Sequence, residues 1–513
     1  MSATLGRLSA LFVCLAWVVL ITACGGGGDS DSNGTAAGSP AVVPTASTPV
    51  TAINDTQGTP VTPVTPVTPV TPVTPVTPSG ADTGQTPAAT APSSPLLALA
   101  KTAAGSAPTS VAAIPTRIGL TPTLLASGFT PSWPYQRYWL SGNGTNNGSS
   151  TAADNPRLNT VAFIYNFANW EKKPAGIANN FNDGSKADYW TTGKDYGGSQ
   201  AYIGLRTNSR YVAMPSQSFS YMSLIVDGQI VIPGVNYKEN NQYAVWDLGA
   251  NAERNLVFVS DSGAWISEVV IENGATIAPY DFTASQPVTI SFTGDSYLGH
   301  QAIEQTGMTF IDMQARLLGA IATTATHVGG TGYRADNSGG LTVRADSSQR
   351  MARFTEAKAT IMIVELGIND PWPGSGPSTL ESMKTVLQGA RAANPSSVLV
   401  AMGPWGPKQF NATNPDGTYI ARMNAISAIV EGLPGPWVVL DNLRGNWKTS
   451  KGTSRGSLRG PWQTGEGRTG APTGTGNGDT WLNADGVHPT TPVGITGLAE
   501  VLTTELRAAL ASM

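Results

Sequence analysis

The sequence is poor in cysteine, histidine and charge. Its 513 residues include two cysteines and three histidines, only 12% are charged, and the net charge is −4. Both cysteines, Cys14 and Cys24, lie near the N-terminus, so the folded part can form no disulfide, thiol nucleophile or cysteine metal site. The weak negative charge argues against nucleic acid as a partner. Stability must therefore come from a hydrophobic core, and a chain of this length can build two domains.

The first apolar run is too short to cross a bilayer comfortably, and no later run is long enough. Residues 8–21 follow Arg7 and are typical of a signal peptide. The run leads into Leu-Ile-Thr-Ala-Cys at residues 20–24, which resembles a bacterial lipobox. The resemblance implies a lipoprotein signal peptide over residues 1–23 and lipid attachment at Cys24. An ordinary signal peptide with a chance cysteine is the alternative, which the following Gly/Asp/Ser tether disfavours. Gly25 after the cysteine favours the outer membrane or cell surface.

Residues 25–100 contain no Lys, no Arg and no aromatic residue, and residues 59–78 repeat Thr-Pro-Val. Proline at every third position fixes φ and removes backbone donors, so neither helix nor sheet can form there. We therefore predict a disordered, Thr/Pro/Gly-rich stalk over residues 24–110. If the repeat is extended, it spans roughly 60 Å at about 3.1 Å per residue and holds a folded domain away from a membrane.

The folded sequence divides into a β-rich part and an α/β part. Residues 221–233 show two apolar runs around Asp227-Gly228, a strong hairpin signal, and further short strands follow. We predict a jelly-roll-like β-sandwich over residues 111–285. From residue 286 to 513 short apolar strands alternate with helical stretches, including one over residues 302–321, which predicts an α/β domain.

Three short motifs follow predicted strands or precede the last helix. They are Gly-Asp-Ser-Tyr at residues 294–297, Gly-Ile-Asn-Asp at residues 367–370 and Asp-Gly-Val-His-Pro at residues 485–489. Between the first two lies a glycine-rich segment, residues 327–333. Each motif alone is a common turn or cap, but their order and their positions at strand ends are more specific, because ligands bind at the carboxyl ends of strands in open α/β sheets.

Together these motifs resemble the SGNH (GDSL-like) hydrolase superfamily over residues 286–513. The resemblance implies a flavodoxin-like, three-layer α/β/α hydrolase domain and a serine esterase. Ser296 matches the nucleophile, His488 the base and Asp485 the acid. The oxyanion hole would comprise the backbone N–H groups of Ser296 and Gly330 and the side-chain amide of Asn369. Gly329 and Gly332 are alternatives to Gly330.

The chemistry of the residues agrees with this assignment. A serine hydroxyl needs a base to take its proton, and only His488 has an acid close in sequence to orient its ring. We expect structural roles for His300 and His327, a bracing role for Asp295, and a helix-capping role for Asp370. No metal-ligand spacing and no phosphate loop is present, so we predict neither metal nor cofactor.

The substrate is less constrained than the reaction. We favour acyl esters, acetyl above all, on a polysaccharide or glycan. A general short-chain carboxylesterase is the alternative within the same chemistry. A non-enzymatic, glycan-binding surface lipoprotein is the alternative from another class, and the intact triad argues against it. Residues 446–479 are basic and glycine-rich; they form either a mobile rim favouring anionic substrates or a solvated insertion.

Overall fold

The computed structural model describes residues 94–125, 131–139, 164–165, 170–173, 189–192, 201–216, 220–238, 242–260, 265–266, 268–280, 288–336, 344–372, 379–405, 417–444, 446–456 and 481–513. The predicted signal peptide, Cys24 and the stalk up to residue 93 lie outside the described residues. So do residues 457–480, most of the basic glycine-rich segment.

Short strands, antiparallel except for the parallel pair β1 and β10, build the first part of the folded chain. They form an eight-stranded sheet with the order β1-β10-β9-β13-β7-β16, in which β11 also pairs with β9 and β4 with β7, and a five-stranded sheet with the order β2-β12-β8-β15-β3. A separate three-stranded sheet has the order β14-β6-β5. The bounds are β1 Thr116–Ile118, β2 Thr123–Leu125, β3 Tyr135–Trp139, β4 Ile164–Tyr165, β5 Trp170–Lys173, β6 Tyr189–Thr192, β7 Ala201–Thr207, β8 Tyr211–Ser216, β9 Ser220–Val226, β10 Gln229–Ile232, β11 Val235–Tyr237, β12 Gln242–Asp247, β13 Arg254–Ser260, β14 Trp265–Ile266, β15 Glu268–Glu272 and β16 Ile277–Pro279.

The predicted hairpin around Asp227-Gly228 is confirmed. Val226 pairs with Gln229 across a two-residue turn, and Asp227 and Gly228 have φ values of 50° and 83°. Positive φ at both central positions matches the right-handed twist of the strands. One core cluster draws alternate residues from both large sheets, including Leu224 and Trp246, so the two sheets bury their apolar faces in the same cluster.

The second part of the chain is built on a parallel sheet, so the predicted mixture of α and β structure is confirmed. The sheet has the order β20-β17-β21-β22-β23-β24-β25, with the first five strands parallel and the last two antiparallel. Renumbered along the chain, the parallel strands have the order 2-1-3-4-5, which is that of flavodoxin-like sheets. The bounds are β17 Thr289–Gly294, β18 Gln301–Ala302, β19 Met308–Thr309, β20 Ile321–His327, β21 Ile361–Glu365, β22 Val398–Met402, β23 Trp437–Asp441, β24 Asn446–Thr449, β25 Ser454–Gly456, and, for the helices, α1 Pro95–Ser106, α2 Ile303–Thr306, α3 Phe310–Leu317, α4 Ser348–Ala357, α5 Thr379–Ala393, α6 Gly417–Glu431 and α7 Val493–Ser512.

Strands β21, β22 and β23 are buried along their whole length. Successive side chains of a strand point to opposite faces of its sheet. Accordingly, Ile363 and Val400 belong to a core cluster shared with α1, α3 and α7, whereas Val364 and Leu399 belong to another shared with α4, α5 and α6. Burial on both faces explains why these strands are near-continuous apolar runs in the sequence.

The predicted stalk boundary at residue 110 is wrong, because α1 is part of the folded unit. Leu97, Ala100 and Ala104 are buried in the core cluster that contains α7. The Arg507 guanidinium donates to the carbonyls of Ala107 and Pro108, at 3.1 and 2.6 Å. These three buried residues have the spacing i, i+3 and i+7, which is typical of an amphipathic helix. The pattern is hard to recognise in the sequence because it directly follows a stalk rich in Ala and Pro.

The single helix predicted over residues 302–321 is also wrong. Gly307, at φ 68°, ends α2, and β19 intervenes before α3 begins at Phe310. A Cβ at Gly307 would lie 2.7 Å from the carbonyl oxygen of Val231, so the helix ends where it meets the β-rich part.

The start of the basic, glycine-rich segment forms regular structure. Its first residues form β24 and β25, which extend the parallel sheet at one edge.

The β-rich part and the α/β part pack directly against each other. Tyr202 and Val257 of the eight-stranded sheet share a core cluster with the α/β part. The Tyr202 hydroxyl donates to Asp312 in α3 at 2.5 Å, and the backbone N–H of Gly234 donates to the Ile303 carbonyl at 3.0 Å. Within the described ranges, no helix has the length and apolar character needed to cross a membrane.

Candidate active site

Ser296 lies in the tight turn that follows β17. Gly294 ends that strand, and a Cβ there would lie 2.4 Å from Leu298 and 2.9 Å from the Glu365 carbonyl oxygen. Only glycine therefore allows the chain to turn this close to β21. The Asp295 carboxylate accepts the backbone N–H of Tyr297 at 3.1 Å, which braces the turn as the sequence predicts. Ser296 is consequently presented at the carboxyl edge of the parallel sheet.

Asp485 and His488 lie in the loop before α7. One oxygen of Asp485 accepts the backbone N–H groups of Val487 and His488, at 2.9 and 3.0 Å. The other faces Nδ1 of His488 at 2.7 Å. The backbone N–H of Asn483 also donates to the His488 carbonyl at 2.7 Å, which closes the loop. Both side chains are held by contacts formed within a few residues of chain.

The structure brings Ser296, His488 and Asp485 into one continuous hydrogen-bond chain. Ser296 Oγ lies 2.9 Å from His488 Nε2. Because Nδ1 faces a carboxylate, it carries the proton, and Nε2 is left to accept from the serine. Partial burial raises the pKa of Asp485, but hydrogen bonds from Val487 and His488 lower it more, so its pKa lies below the ordinary value. Asp485 therefore stays ionised and orients the imidazole of His488.

His300 and His327 lie near the triad but have no carboxylate partner among the described contacts. The His300 ring centroid is 5.2 Å from that of His488, and its buried Nε2 has no hydrogen-bond partner among the described residues. Burial, with a contribution from His488, lowers the pKa of His300 to about 3. Burial, with a contribution from Arg350, also lowers the pKa of His327 to about 3. Both rings are neutral near pH 7 and pack around the site.

The glycine-rich segment lies beside Ser296 and is contacted by Asn369. A Cβ on Gly329 would be 3.8 Å from the Ser296 Cβ, whereas Gly330 is exposed with φ 74°. The amide of Asn369 donates to the Thr331 carbonyl at 2.9 Å. Gly332 packs instead against Asp370, where a Cβ would lie 2.5 Å from the carboxylate. Gly329 and Gly330 thus both remain candidates for the oxyanion donor, and the role of Asn369 stays a prediction.

Asp370 holds the end of the glycine-rich segment and the two residues after it, and among the described residues it caps no helix, contrary to the prediction. Its buried carboxylate accepts the backbone N–H groups of Tyr333, Arg334 and Ala335, at 2.9, 2.8 and 2.9 Å. Three backbone donors on one carboxylate fix a segment that has no regular structure of its own. Asp370 therefore ties the turn after β21 to the segment after β20.

Arg350 in α4 is a supporting residue that the sequence gives no means of finding. Its buried guanidinium donates to the Gly294 and Thr326 carbonyls, at 2.7 and 3.0 Å, and to the Thr331 hydroxyl at 3.0 Å. It thereby joins the ends of β17 and β20 to the glycine-rich segment. No motif surrounds it, and its position in a helix resembles that of any charged surface residue.

In the described part of the chain, no three His, Cys, Asp or Glu side chains lie close enough together to bind a metal ion.

No family model matches the chain, and no curated protein matches it significantly. Among solved structures, it is similar to a salicylyl-acyltransferase from a tetracycline biosynthetic pathway, at 13% identity and a TM-score of 0.46, covering 69% of this chain and 95% of that one. A family two carbohydrate esterase from Clostridium thermocellum, in complex with cellohexaose, has 16% identity, a TM-score of 0.42 and coverage of 68% and 100%. An acetyl xylan esterase from the rumen bacterium Butyrivibrio proteoclasticus has 10% identity, a TM-score of 0.41 and coverage of 74% and 99%. At this similarity, any inference about the reaction rests on the geometry of Ser296, His488 and Asp485.

Proposed function

We propose that this protein is a serine esterase that hydrolyses acyl esters, acetyl esters above all, on a polysaccharide or glycan. The observation that carries the proposal is the unbroken hydrogen-bond chain from Asp485 through His488 to Ser296. It joins residues 192 positions apart in the sequence, and it lies where parallel sheets place their ligands. Nucleophile, base and orienting acid are the complete set that acyl transfer needs.

The reaction follows from this geometry. Nε2 of His488 takes the proton of Ser296 as Oγ attacks the ester carbonyl, and Asp485 stabilises the resulting imidazolium. Backbone N–H groups of Ser296 and Gly330, or Gly329, with the amide of Asn369, would bind the oxyanion. The imidazolium then protonates the departing alcohol and leaves an acyl-serine. Water, activated by the same imidazole, releases the acid and restores the serine.

The exposure of the base and acid supports a bulky substrate. The His488 and Asp485 side chains are 35% and 47% exposed, so both contact solvent. A site at the sheet edge accepts an ester carried on a polymer as well as a small one.

We also propose that the esterase is a flavodoxin-like three-layer domain that follows a jelly-roll-like β-sandwich. The strand order and the separate core clusters on the two faces of the parallel sheet support this division.

The lipobox-like residues 20–24 support secretion and anchoring to the outer membrane or cell surface. Cys24→Ala should then yield protein that is unprocessed or released from membranes. Membrane-bound, lipid-modified Cys24→Ala protein would contradict anchoring at this cysteine.

The test of the function is acetate release. Protein lacking residues 1–23 is incubated with acetylated xylan, with other acetylated polysaccharides and with an aryl acetate, and Ser296→Ala protein is treated in parallel. We expect release from at least one polysaccharide and from the aryl ester, all of it dependent on Ser296. Activity on the aryl ester alone would favour a general short-chain carboxylesterase. Glycan binding with no Ser296-dependent hydrolysis would favour the non-enzymatic alternative.

A further inference from the structure

A buried side chain next to the nucleophile reaches the loop that carries the base. Tyr297 is fully buried, and its hydroxyl donates to the carbonyl of Val487, the residue before His488. Its ring centroid lies 6.0 Å from that of His488. Burial, together with the charge of Asp295, holds the pKa of Tyr297 well above its ordinary value, so the hydroxyl keeps its proton and remains a donor. Tyr297 thus joins the two loops of the triad through one hydrogen bond.

Trp405 supports Tyr297 from the other side. It follows β22, is 2% exposed, and stacks on Tyr297 with a centroid distance of 5.5 Å and an interplanar angle of 23°. Its indole Nε1 donates to Oε1 of Glu365 at 2.5 Å. A tryptophan that is packed on one face and hydrogen-bonded at its edge has little freedom to rotate. The plane of the Tyr297 ring is therefore fixed by a residue of the segment that follows β22, two strands away from β17 in the sheet.

Glu365 ends this series of contacts at the last residue of β21. The residue is 1% exposed, and its second oxygen, Oε2, is buried without a hydrogen-bond partner among the described residues. Burying a carboxyl group with incomplete pairing is costly. Leucine or methionine would fill such a position without that cost, so packing alone does not account for a carboxyl group here. Burial raises the pKa of Glu365 to about 8, although the Trp405 hydrogen bond opposes the shift, so the group is largely neutral near pH 7.

We propose that Glu365, Trp405 and Tyr297 are positioning residues that set the distance between Ser296 and His488. Glu365 fixes the edge of the indole, the indole fixes the plane of the phenol, and the phenol hydroxyl holds the Val487 carbonyl. The loop carrying His488 also packs Leu482 and Val487 against the core cluster, and the hydrogen bond from Tyr297 to the residue before His488 sets how close Nε2 lies to Oγ. The inference rests on the proposed esterase function.

The test compares tyrosines that are matched in burial and hydrogen bonding. Tyr297→Phe keeps the ring and removes the bond to Val487. Tyr237→Phe makes the same change at a fully buried tyrosine in the β-rich core, whose hydroxyl donates to the Met214 carbonyl at 2.9 Å. Both variants should lose similar stability on melting. Only Tyr297→Phe should lower kcat on an aryl acetate, by about tenfold to a hundredfold with little change in KM, because a misplaced base slows the chemical step.

Variants of the other two residues provide a rescue series. Trp405→Phe keeps an aromatic ring but loses the indole donor, and it should lower kcat in the same way. Glu365→Leu should do so too, whereas Glu365→Gln, which keeps an acceptor for the indole, should retain most of the turnover. The rate of labelling by a fluorophosphonate should follow kcat, because labelling also needs the serine and the base.

The outcomes separate the inference from the function on which it rests. Wild-type protein without Ser296-dependent hydrolysis would contradict the esterase itself. An active wild type with undiminished kcat in folded Tyr297→Phe protein would overturn the positioning role alone. So would equal losses of kcat in Tyr297→Phe and Tyr237→Phe, since general destabilisation would then explain both.

Discussion

Under the proposed function, Ser296, His488 and Asp485 act as a unit, and their substitution should show it. Ser296→Ala removes the nucleophile and His488→Ala removes the base at the 2.9 Å contact. Each should reduce turnover of an aryl acetate by a factor on the order of 10⁴ or more, and the double variant should be no worse. Activity and fluorophosphonate labelling of folded protein measure this. Labelling of Ser296→Ala protein at the wild-type rate would show that the nucleophile lies elsewhere.

Asn369 should affect the transition state more than binding. Its amide points at the segment beside Ser296, where it donates to the Thr331 carbonyl. Asn369→Ala should reduce kcat by roughly 10²- to 10³-fold with a smaller change in KM, because an oxyanion donor acts when charge develops. Steady-state kinetics on an aryl acetate provide the measurement. A variant that raises KM and leaves kcat intact would assign Asn369 to substrate binding instead.

At the residue scale, local sequence predicts the parts of the site that are close in the chain. Asp485 and His488 are three residues apart, and Ser296 is marked by its position after a strand. Arg350 and Glu365 could not be found this way, because their roles depend on contacts made 56 and 40 positions along the chain, to Gly294 and Trp405. The helix-capping role predicted for Asp370 is wrong for the same reason, since the backbone N–H groups that it binds lie in another loop.

At the scale of elements, α1 completes the core of the α/β part although it precedes the whole β-rich part in the sequence. Ala100 is fully buried, whereas Ala98 on the same helix is exposed. Ala100→Asp should lower the melting temperature strongly, because it buries an unpaired charge, and Ala98→Asp should change it little. Thermal unfolding measures both. Equal, small effects would mean that α1 does not pack on α7 in solution.

The strands were easier to predict from the sequence than their partners. Apolar runs such as residues 361–364 mark strands buried on both faces, and Asp227-Gly228 marks a tight turn. The change from β to α/β pattern near residue 286 does not predict the hydrogen bond between Tyr202 and Asp312, which lie on either side of it in the sequence. Neither did the helical pattern of residues 302–321 reveal the break at Gly307, because that break follows from the approach of Val231. Long-range packing decides these features, and local patterns do not encode it.

At the scale of the whole molecule, buried carboxyl groups should make stability depend on pH. Burial raises the pKa of Asp295 to about 7 and that of Glu365 to about 8. In unfolded chains carboxyl groups titrate near about 4, so the folded protein binds more protons between these values. The stability that these two groups contribute is therefore greatest at acid pH and declines as pH rises toward about 8.

Glu365→Gln removes one of these titrations while preserving shape. The difference in melting temperature between the variant and the wild type should shift in favour of the variant as pH rises from 5 to 8, a range set by the raised pKa of Glu365. Glu253→Gln provides the control, because the Glu253 side chain is 70% exposed. A difference that is constant over this range would show that Glu365 titrates normally.

The folded unit begins at the edge of the parallel sheet that lies opposite the candidate active site. The Ser94 hydroxyl donates to the Ser396 carbonyl at 2.6 Å, just before β22, and hence at the amino edge of the parallel sheet. Ser296 lies at the opposite edge, about 16 Å away along a five-residue strand. The folded unit thus begins on the side of the sheet away from Ser296, and whatever precedes Ser94 joins it there and not beside the catalytic residues.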